Sequence, residues 1–271
     1  MRKFSAKMGV TALAVLAAFA ISMTGAHAEE VITVKPEYGG ELDFILLKPF
    51  NPKAAVVLFP GGHGNLRLDD YGETRRKSFL VRSREDFLDR GFMVAVFNPP
   101  SGMEELLRPY RMSEKHGQDI RAVVEYLKKT ANVPVWLIGL SRGTYSVANG
   151  AIRLKDLLSG IILTSTATKS RKKYTIYATH PNGVIDMELG SIMVPVLVVV
   201  NKTDTCAGSP ASNAEKLSKA FTGAPKTAVK IFDGVEETKQ DNCKWWSQHQ
   251  FSGFEEKVVD AIADFIKANA K

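Results

Sequence analysis

The sequence predicts an α/β fold, in which a mostly parallel central sheet is covered by helices on both faces. Two observations support this prediction: short, almost continuously apolar segments recur along the chain, and segments with helical periodicity separate them. Each parallel strand needs a crossover connection, and a helix in that crossover covers a face of the sheet. No internal repeat or long linker interrupts this alternation, so we expect a single domain over residues 29–271.

The predicted parallel strands are apolar along their whole length, as strands buried on both faces should be. They comprise residues 54–59, 92–97, 133–140, 160–165 and 194–200, with a sixth strand at 227–232. The earlier segments VITVKPEY and LDFILLKP are expected to form a hairpin at a sheet edge, where proline is tolerated. Apolar residues at helical spacing predict helices in SEKHGQDIRAVVEYLKKT and in the last segment of the chain.

The first 28 residues have the pattern of a secretory signal peptide. Arg2, Lys3 and Lys7 precede an apolar run, and Ala26 and Ala28 supply the small residues that a signal peptidase accepts. The run is about a dozen residues long, whereas a membrane-spanning helix needs about 20, which disfavours the alternative of an uncleaved anchor. We expect an exported chain that is periplasmic or secreted and has no stable membrane anchor.

The charge distribution gives no sign of a nucleic-acid partner. The net charge is +7, and removal of the signal peptide would take away three basic residues and no acidic one. A basic cluster lies in TKSRKKYTIY, but no stripe of interleaved aromatic and basic residues accompanies it. This segment is expected to be a solvated loop.

The two cysteines, Cys206 and Cys243, both fall late in the chain. Because an exported protein meets an oxidising compartment, we expect a disulfide between them. Closing a loop of that span would stabilise the fold by about 4 kcal/mol in the chain-entropy model. A pair of reduced, buried thiols is the alternative.

The segment PVWLIGLSRGTYSVANG places Ser141 between Gly139 and Gly143, after an apolar strand and before a helix. A tight turn at that point pushes the hydroxyl outward, and the glycines leave room for the turn. The helix N-terminus that follows favours negative charge. This is the G-x-S-x-G pattern of a nucleophile elbow, although a serine that merely caps the helix is the alternative.

A serine hydroxyl needs a base to accept its proton and a carboxylate to orient that base. The chain order serine, acid, histidine selects Asp204, which follows the most hydrophobic strand, and His249, which precedes the final helix. The alternatives are Asp233 as the acid and a surface position for His249. Of the other histidines, His116 is expected to face solvent and His180 to lie in a turn.

The cysteines flank these candidates, since Cys206 lies two residues after Asp204 and Cys243 six residues before His249. A disulfide would therefore tie the loop of the acid to the loop of the base. Such a bridge would hold the two groups near their working geometry, which affects rate strongly. A simple staple between two mobile loops is the alternative.

The glycine-rich segment VVLFPGGHGN is a candidate for stabilising an oxyanion, because glycines let backbone amides approach a ligand closely. Gly62 is the predicted first donor, and the amide of Arg142, which follows the serine, is the second. A phosphate-binding loop is disfavoured because no G-K-[ST] follows. Candidates for substrate binding are His63, Tyr145, Trp245 and Trp246, although plain packing of the aromatic residues is the alternative.

The GLSRG and PGGHG motifs and the order Ser141, Asp204, His249 resemble those of the α/β-hydrolase superfamily over nearly the whole mature chain. The resemblance implies a three-layer fold with about eight strands, Ser-His-Asp chemistry, and no metal or organic cofactor. The short stretch between the strands at 160 and 194 implies a minimal cap. PGG stands where many members have His-Gly, which leaves the first oxyanion donor open.

Three functions are compatible with these residues. An ester hydrolase, acting through an acyl-enzyme on a small or medium ester or acyl substrate, is favoured. A peptidase or amidase of the same fold is the second hypothesis, and an exported binding protein without turnover is the third.

Overall fold

The structure is a computed structural model that describes residues 29–69, 71–234 and 242–270; the predicted signal peptide lies outside them. The strands are β1 (Glu30–Val34), β2 (Leu42–Leu47), β3 (Ala54–Phe59), β4 (Phe92–Pro100), β5 (Val135–Leu140), β6 (Gly160–Thr164), β7 (Val196–Asn201) and β8 (Thr227–Phe232). The α-helices are α1 (Phe79–Arg82), α2 (Arg84–Asp89), α3 (Arg108–Arg111), α4 (Glu114–Ala131), α5 (Gly143–Leu154), α6 (Ala214–Lys219) and α7 (Glu255–Asn269).

The strands form one eight-stranded sheet in the order β1-β2-β4-β3-β5-β6-β7-β8. β2 pairs antiparallel with both β1 and β4, and all other neighbouring pairs are parallel. This arrangement confirms the predicted mostly parallel sheet with an edge hairpin. The bounds of β3 and β8 agree with the sequence prediction.

Helices cover both faces of the sheet, as predicted for a three-layer fold. On one face, apolar side chains of α4, α5 and α6 pack on the sheet in one buried cluster. On the other face, α1, α2 and α7 bury a second cluster that includes Trp136 of β5. Burial of this apolar surface on both sides is the main stabilising contribution to the fold.

The connection between β6 and β7 is short. Over residues 165–195 it contains three 3₁₀ helices, Thr175–Ala178, Gly183–Asp186 and Leu189–Ser191, and no α-helix. The predicted minimal cap is therefore confirmed. Within the described ranges, no helix combines the length and the apolar character required to cross a membrane.

The prediction that His116 faces solvent is wrong. Its side chain is completely buried, with Nε2 2.8 Å from Ser146 Oγ and Nδ1 3.2 Å from Asp119 Oδ2. His116 precedes Ile120 by one helical turn, so it belongs to the stripe of α4 that packs against the sheet. The polar partners supplied by α4 and α5 are what make its burial tolerable.

Candidate active site

Ser141 lies on a sharp turn between β5 and α5. Its φ of 54° is in the left-handed region, which a residue with a side chain adopts rarely. The turn is held because the amide of Ser141 donates to the carbonyl of Thr164 at 3.0 Å, and the amide of Thr144 donates to the carbonyl of Ser141 at 3.1 Å. The structure thus has the strained strand-to-helix turn that the G-x-S-x-G pattern predicts.

The two glycines of the motif leave no room for larger residues. A Cβ at Gly139 would lie 2.7 Å from Cγ2 of Val147, and a Cβ at Gly143 would overlap the carbonyl oxygen of Phe59. The backbone at Phe59 belongs to β3, which neighbours β5. Gly143 therefore allows the start of α5 to approach the end of the adjacent strand.

Asp204 and His249 are hydrogen-bonded to each other. Nδ1 of His249 lies 2.7 Å from Oδ2 of Asp204, and the two side chains are 1% and 2% exposed. Asp204 follows β7, and its second carboxylate oxygen, Oδ1, accepts a hydrogen bond from the amide of Cys206 at 2.7 Å. With Nδ1 directed to the carboxylate, Nε2 is the ring nitrogen available for proton transfer.

The loop of His249 is fixed by hydrogen bonds to its backbone. Ser165 Oγ donates to the carbonyl of His249 at 2.8 Å, and Arg82 Nη2 donates to the carbonyl of Gln250 at 2.7 Å. Ser165 directly follows Thr164, whose carbonyl accepts from the amide of Ser141. The last residue of β6 and the residue after it thus hold both the serine turn and the histidine loop.

A cavity of about 350 Å³ lies above the carboxyl ends of the central strands, and both Ser141 and His249 line it. Gly62 and Arg142 also line it, and a Cβ at Gly61 would lie 3.1 Å from the Cβ of Ser141. Nε2 of His249 is buried and has no hydrogen-bond partner among the described residues. The arrangement places a histidine nitrogen with unused hydrogen-bonding capacity in the same cavity as the serine.

No family model and no curated protein sequence matches the chain. Solved structures do match: the chain superposes on the Pyrococcus furiosus esterase Pf2001 with a TM-score of 0.67 at 14% identity, covering 90% of this chain and 92% of that one. It superposes on the Anabaena variabilis dienelactone hydrolase with a TM-score of 0.62 at 12% identity, covering 90% and 99%.

The chain has the α/β-hydrolase fold. A third similar structure, the Pyrococcus horikoshii acylaminoacyl peptidase, matches with a TM-score of 0.60 at 16% identity, covering 90% of this chain and 42% of that one. At these identities the likeness establishes the fold, and the chemistry must be argued from the site itself.

The disulfide predicted between Cys206 and Cys243 is present, with 4.8 Å between the two Cα atoms. It connects the loop of Asp204 to the segment that leads into His249, as the positions of the two cysteines in the sequence predict. The ligand atoms of Asp204, Cys206 and His249 lie within 4.8 Å of one another, a spacing suited to a metal. However, the sulfur of Cys206 is bonded to Cys243 and cannot act as a thiolate ligand, so these residues do not fit a three-ligand metal centre.

The alternative acid, Asp233, does not contact His249. It is exposed and forms an ion pair with Lys202 at 3.0 Å. His180 lies in a turn, as predicted, with Nδ1 2.8 Å from Oγ1 of Thr179. Among the described residues, Asp204 is therefore the carboxylate that the α/β-hydrolase fold brings to His249.

Of the four predicted substrate-binding residues, two line the cavity and two do not. His63 and Trp245 line the cavity, and His63 also contacts Glu105. Tyr145 is 1% exposed on the core side of α5, and Trp246 packs under Arg82, whose guanidinium is 4.8 Å from the ring centre. Neither of these two is among the described residues that line the cavity.

Sequence reasoning missed the basic wall of the cavity, which is formed by Arg76, Arg108, Lys169 and Arg171 together with Arg142. The basic segment that contains Lys169 and Arg171 is exposed, as predicted for a solvated loop. The role of this segment in lining the cavity could not be predicted, because Arg76 and Arg108 reach the same cavity from distant parts of the sequence. The only signal in the sequence was an excess of basic residues without an assigned partner.

Proposed function

We propose that the chain is an exported serine hydrolase that cleaves carboxylic esters of small or medium size through an acyl-enzyme. The observation that carries this proposal is the state of His249: its Nδ1 is 2.7 Å from Asp204, and its Nε2 has no partner among the described residues. The ring and Ser141 line one cavity. A buried base with one nitrogen oriented and the other available is what serine activation requires.

In the proposed reaction, Oγ of Ser141 attacks the ester carbonyl carbon while Nε2 of His249 takes the hydroxyl proton. Asp204 stabilises the imidazolium that forms. The amides of Gly62 and Arg142 donate to the oxyanion of the tetrahedral intermediate. The carbon–oxygen bond to the alcohol then breaks, and His249 gives its proton to that alcohol. Water repeats the sequence on the acyl-enzyme and releases the acid.

The test is hydrolysis of 4-nitrophenyl esters of increasing acyl length, beside the matched 4-nitroanilides. We expect ester turnover that falls by at least about a thousandfold in Ser141→Ala, since the nucleophile supplies a factor of this order or more. Ser101→Ala, at an exposed turn, is the matched control and should retain full activity. Faster cleavage of the anilides would favour an amidase, and unchanged turnover in Ser141→Ala would refute the proposed nucleophile.

Export is part of the proposal. It is supported by the signal-peptide pattern of the first 28 residues and by the disulfide between Cys206 and Cys243, which suits an oxidising compartment. N-terminal sequencing of the protein recovered from outside the cytoplasm should begin near Glu29. A chain recovered intact and reduced from the cytoplasm would contradict this part.

A further inference from the structure

The cavity above Ser141 is strongly cationic. Five basic side chains line it, and the described lining residues include no aspartate or glutamate: the basic residues are Arg76, Arg108, Arg142, Lys169 and Arg171. Three of them, the arginines at 76, 108 and 142, are partly buried, whereas Lys169 and Arg171 are exposed at the rim. A water-poor cavity lined by charges of one sign attracts ligands of the opposite sign.

The three partly buried arginines form no ion pair with a carboxylate of the described residues. Elsewhere in the described structure, arginines of comparable burial have such partners: Arg82 pairs with Glu255 at 2.7 Å and Arg90 with Asp260 at 2.7 Å. Completely buried Arg111 also lacks a carboxylate partner among the described residues, but its guanidinium donates to Ser146 Oγ and to the carbonyls of Leu106 and Pro60. A buried cation normally has an anion or hydrogen-bond acceptors as partners.

Aromatic rings hold these arginines in place instead. The guanidinium of Arg108 is 4.1 Å from the ring centre of Tyr174, and that of Arg142 is 6.0 Å from the same ring. The guanidinium of Arg76 is 5.7 Å from the ring of Trp245. Cation–π contacts orient a guanidinium and leave its N–H donors able to bind an anion.

Arg108 and Arg142 also repel each other. The pKa of Arg142 is lowered mainly by burial and next by the charge of Arg108. The pKa of Arg76 is lowered by burial and by the charge of Arg67. His63 on the same wall has a pKa lowered by burial and by the charges of Arg142 and Arg76. In addition, Nε of Arg76 is buried without a hydrogen-bond partner among the described residues. An anion in the cavity would relieve the repulsion and satisfy this donor.

We propose that the substrate ester carries an anionic group, a carboxylate or the chemically similar phosphate or sulfate, which Arg76, Arg108 and Arg142 bind while the ester carbonyl lies at Ser141. This inference rests on the proposed ester hydrolase function, because it names the substrate class of the same site. Planar, bidentate guanidinium groups recognise carboxylate and phosphate oxygens with both charge and geometry.

The first experiment compares pairs of esters in which one member carries a carboxylate and the other is neutral. For an anion on the acyl side, mono-4-nitrophenyl glutarate is compared with 4-nitrophenyl butyrate; for an anion on the alcohol side, 4-acetoxybenzoate is compared with its methyl ester. We expect kcat/KM to favour the anionic member of at least one pair by about tenfold or more, as charged hydrogen bonds typically give. The pair that shows the preference identifies the side of the scissile bond that carries the charge. Equal or lower values for both anionic esters would refute the proposal.

The second experiment removes the charges. In Arg76→Gln and Arg108→Gln, the preference for the anionic ester should fall about tenfold, through a higher KM, and the loss should resemble that caused by adding salt to the wild type. Arg75→Gln is the matched control, because Arg75 is the exposed neighbour of Arg76 and does not line the cavity. A preference that is unchanged in both cavity variants, or equally reduced in Arg75→Gln, would overturn the assignment.

A binding measurement separates this inference from the proposed function. Calorimetric titration of glutarate into Ser141→Ala needs no turnover, and we expect binding that weakens about tenfold when Arg108→Gln is added. If no ester is cleaved but glutarate binds in this way, the hydrolase proposal fails and the anion site stands. If esters are cleaved without charge preference and glutarate does not bind, the hydrolase stands and the anion site is refuted.

Discussion

Nε2 of His116 lies 2.8 Å from the hydroxyl oxygen of Ser146, in a serine–histidine–aspartate arrangement that is completely buried between α4 and α5. Nη1 of Arg111 donates to the same oxygen at 2.7 Å, so the serine hydrogen is directed to the histidine. Arg111 also donates to the carbonyls of Leu106 at 3.1 Å and Pro60 at 3.4 Å. The network supports the glycine-rich loop from beneath and has no access to a substrate.

Removal of the shared hydroxyl should destabilise the fold. In Ser146→Ala, Arg111 and His116 each lose a buried partner, and we expect the free energy of unfolding to fall by about 1–3 kcal/mol. Urea denaturation measures this change. Ser101→Ala, at an exposed turn, should alter the stability by less than about 0.5 kcal/mol. Equal stabilities for the two variants would contradict the role assigned to the network.

The same network predicts a pH dependence. Burial lowers the pKa of His116 below its usual 6.5. The hydrogen bond to Asp119 opposes this shift, and the charge of Arg111 adds to it. As the pH falls below about 6.5, the unfolded chain binds a proton that the folded chain does not, so stability decreases. Denaturation between pH 5 and 8 should show this slope, flattened in His116→Gln. His180→Gln is the comparison at a histidine outside this network, and it should retain most of the slope. An unchanged slope in His116→Gln would refute the assignment.

The disulfide should contribute to both stability and rate. The double variant Cys206→Ser and Cys243→Ser lacks a bridge between residues 37 positions apart. We expect its free energy of unfolding to fall by up to about 4 kcal/mol. Because the amide of Cys206 donates to Asp204, we also expect a lower kcat with a smaller effect on KM. Thermal melts and steady-state kinetics on an ester measure the two effects. If kcat is unchanged in a less stable variant, the disulfide stabilises the fold without affecting catalysis.

Substitution at the serine turn should be poorly tolerated. Gly143→Ala would bring a methyl group into the carbonyl of Phe59, so we expect loss of more than about 3 kcal/mol of stability or failure to fold. Gly208→Ala is the control, because its added Cβ would meet only the carbonyl of Lys169 at 3.7 Å. Similar yields and melting temperatures for the two variants would contradict the close approach of α5 to β3.

The sheet could be predicted from the sequence because its central strands are short, continuously apolar and bounded by turn residues. β4 differs from its predicted range of 92–97, because it continues to Pro100. Its pairing with β3 ends at Val96, whereas Leu42 of β2 still pairs with Pro100. With a neighbour on one side only, the end of β4 behaves as an edge strand and tolerates its prolines.

Part of the candidate site could be predicted from the sequence, and part could not. The serine turn is a local motif, and the chain order selected the pair Asp204 and His249, which the fold brings within 2.7 Å. The arginines at 76, 108 and 142 lie far apart in the sequence, so only tertiary structure shows that they share one cavity. The buried polar network was missed because a histidine early in a helix was assumed to face water, although its spacing to Ile120 placed it on the apolar stripe.

The role of Ser141 as a nucleophile activated by His249 is tested most directly by the intact mass and peptide map of the protein after reaction with a fluorophosphonate. We expect a single adduct on Ser141, no adduct in Ser141→Ala, and labelling at least about a hundredfold slower in His249→Asn, since that base activates the hydroxyl. An adduct at another residue, or labelling of Ser141 at the same rate in His249→Asn, would refute these roles.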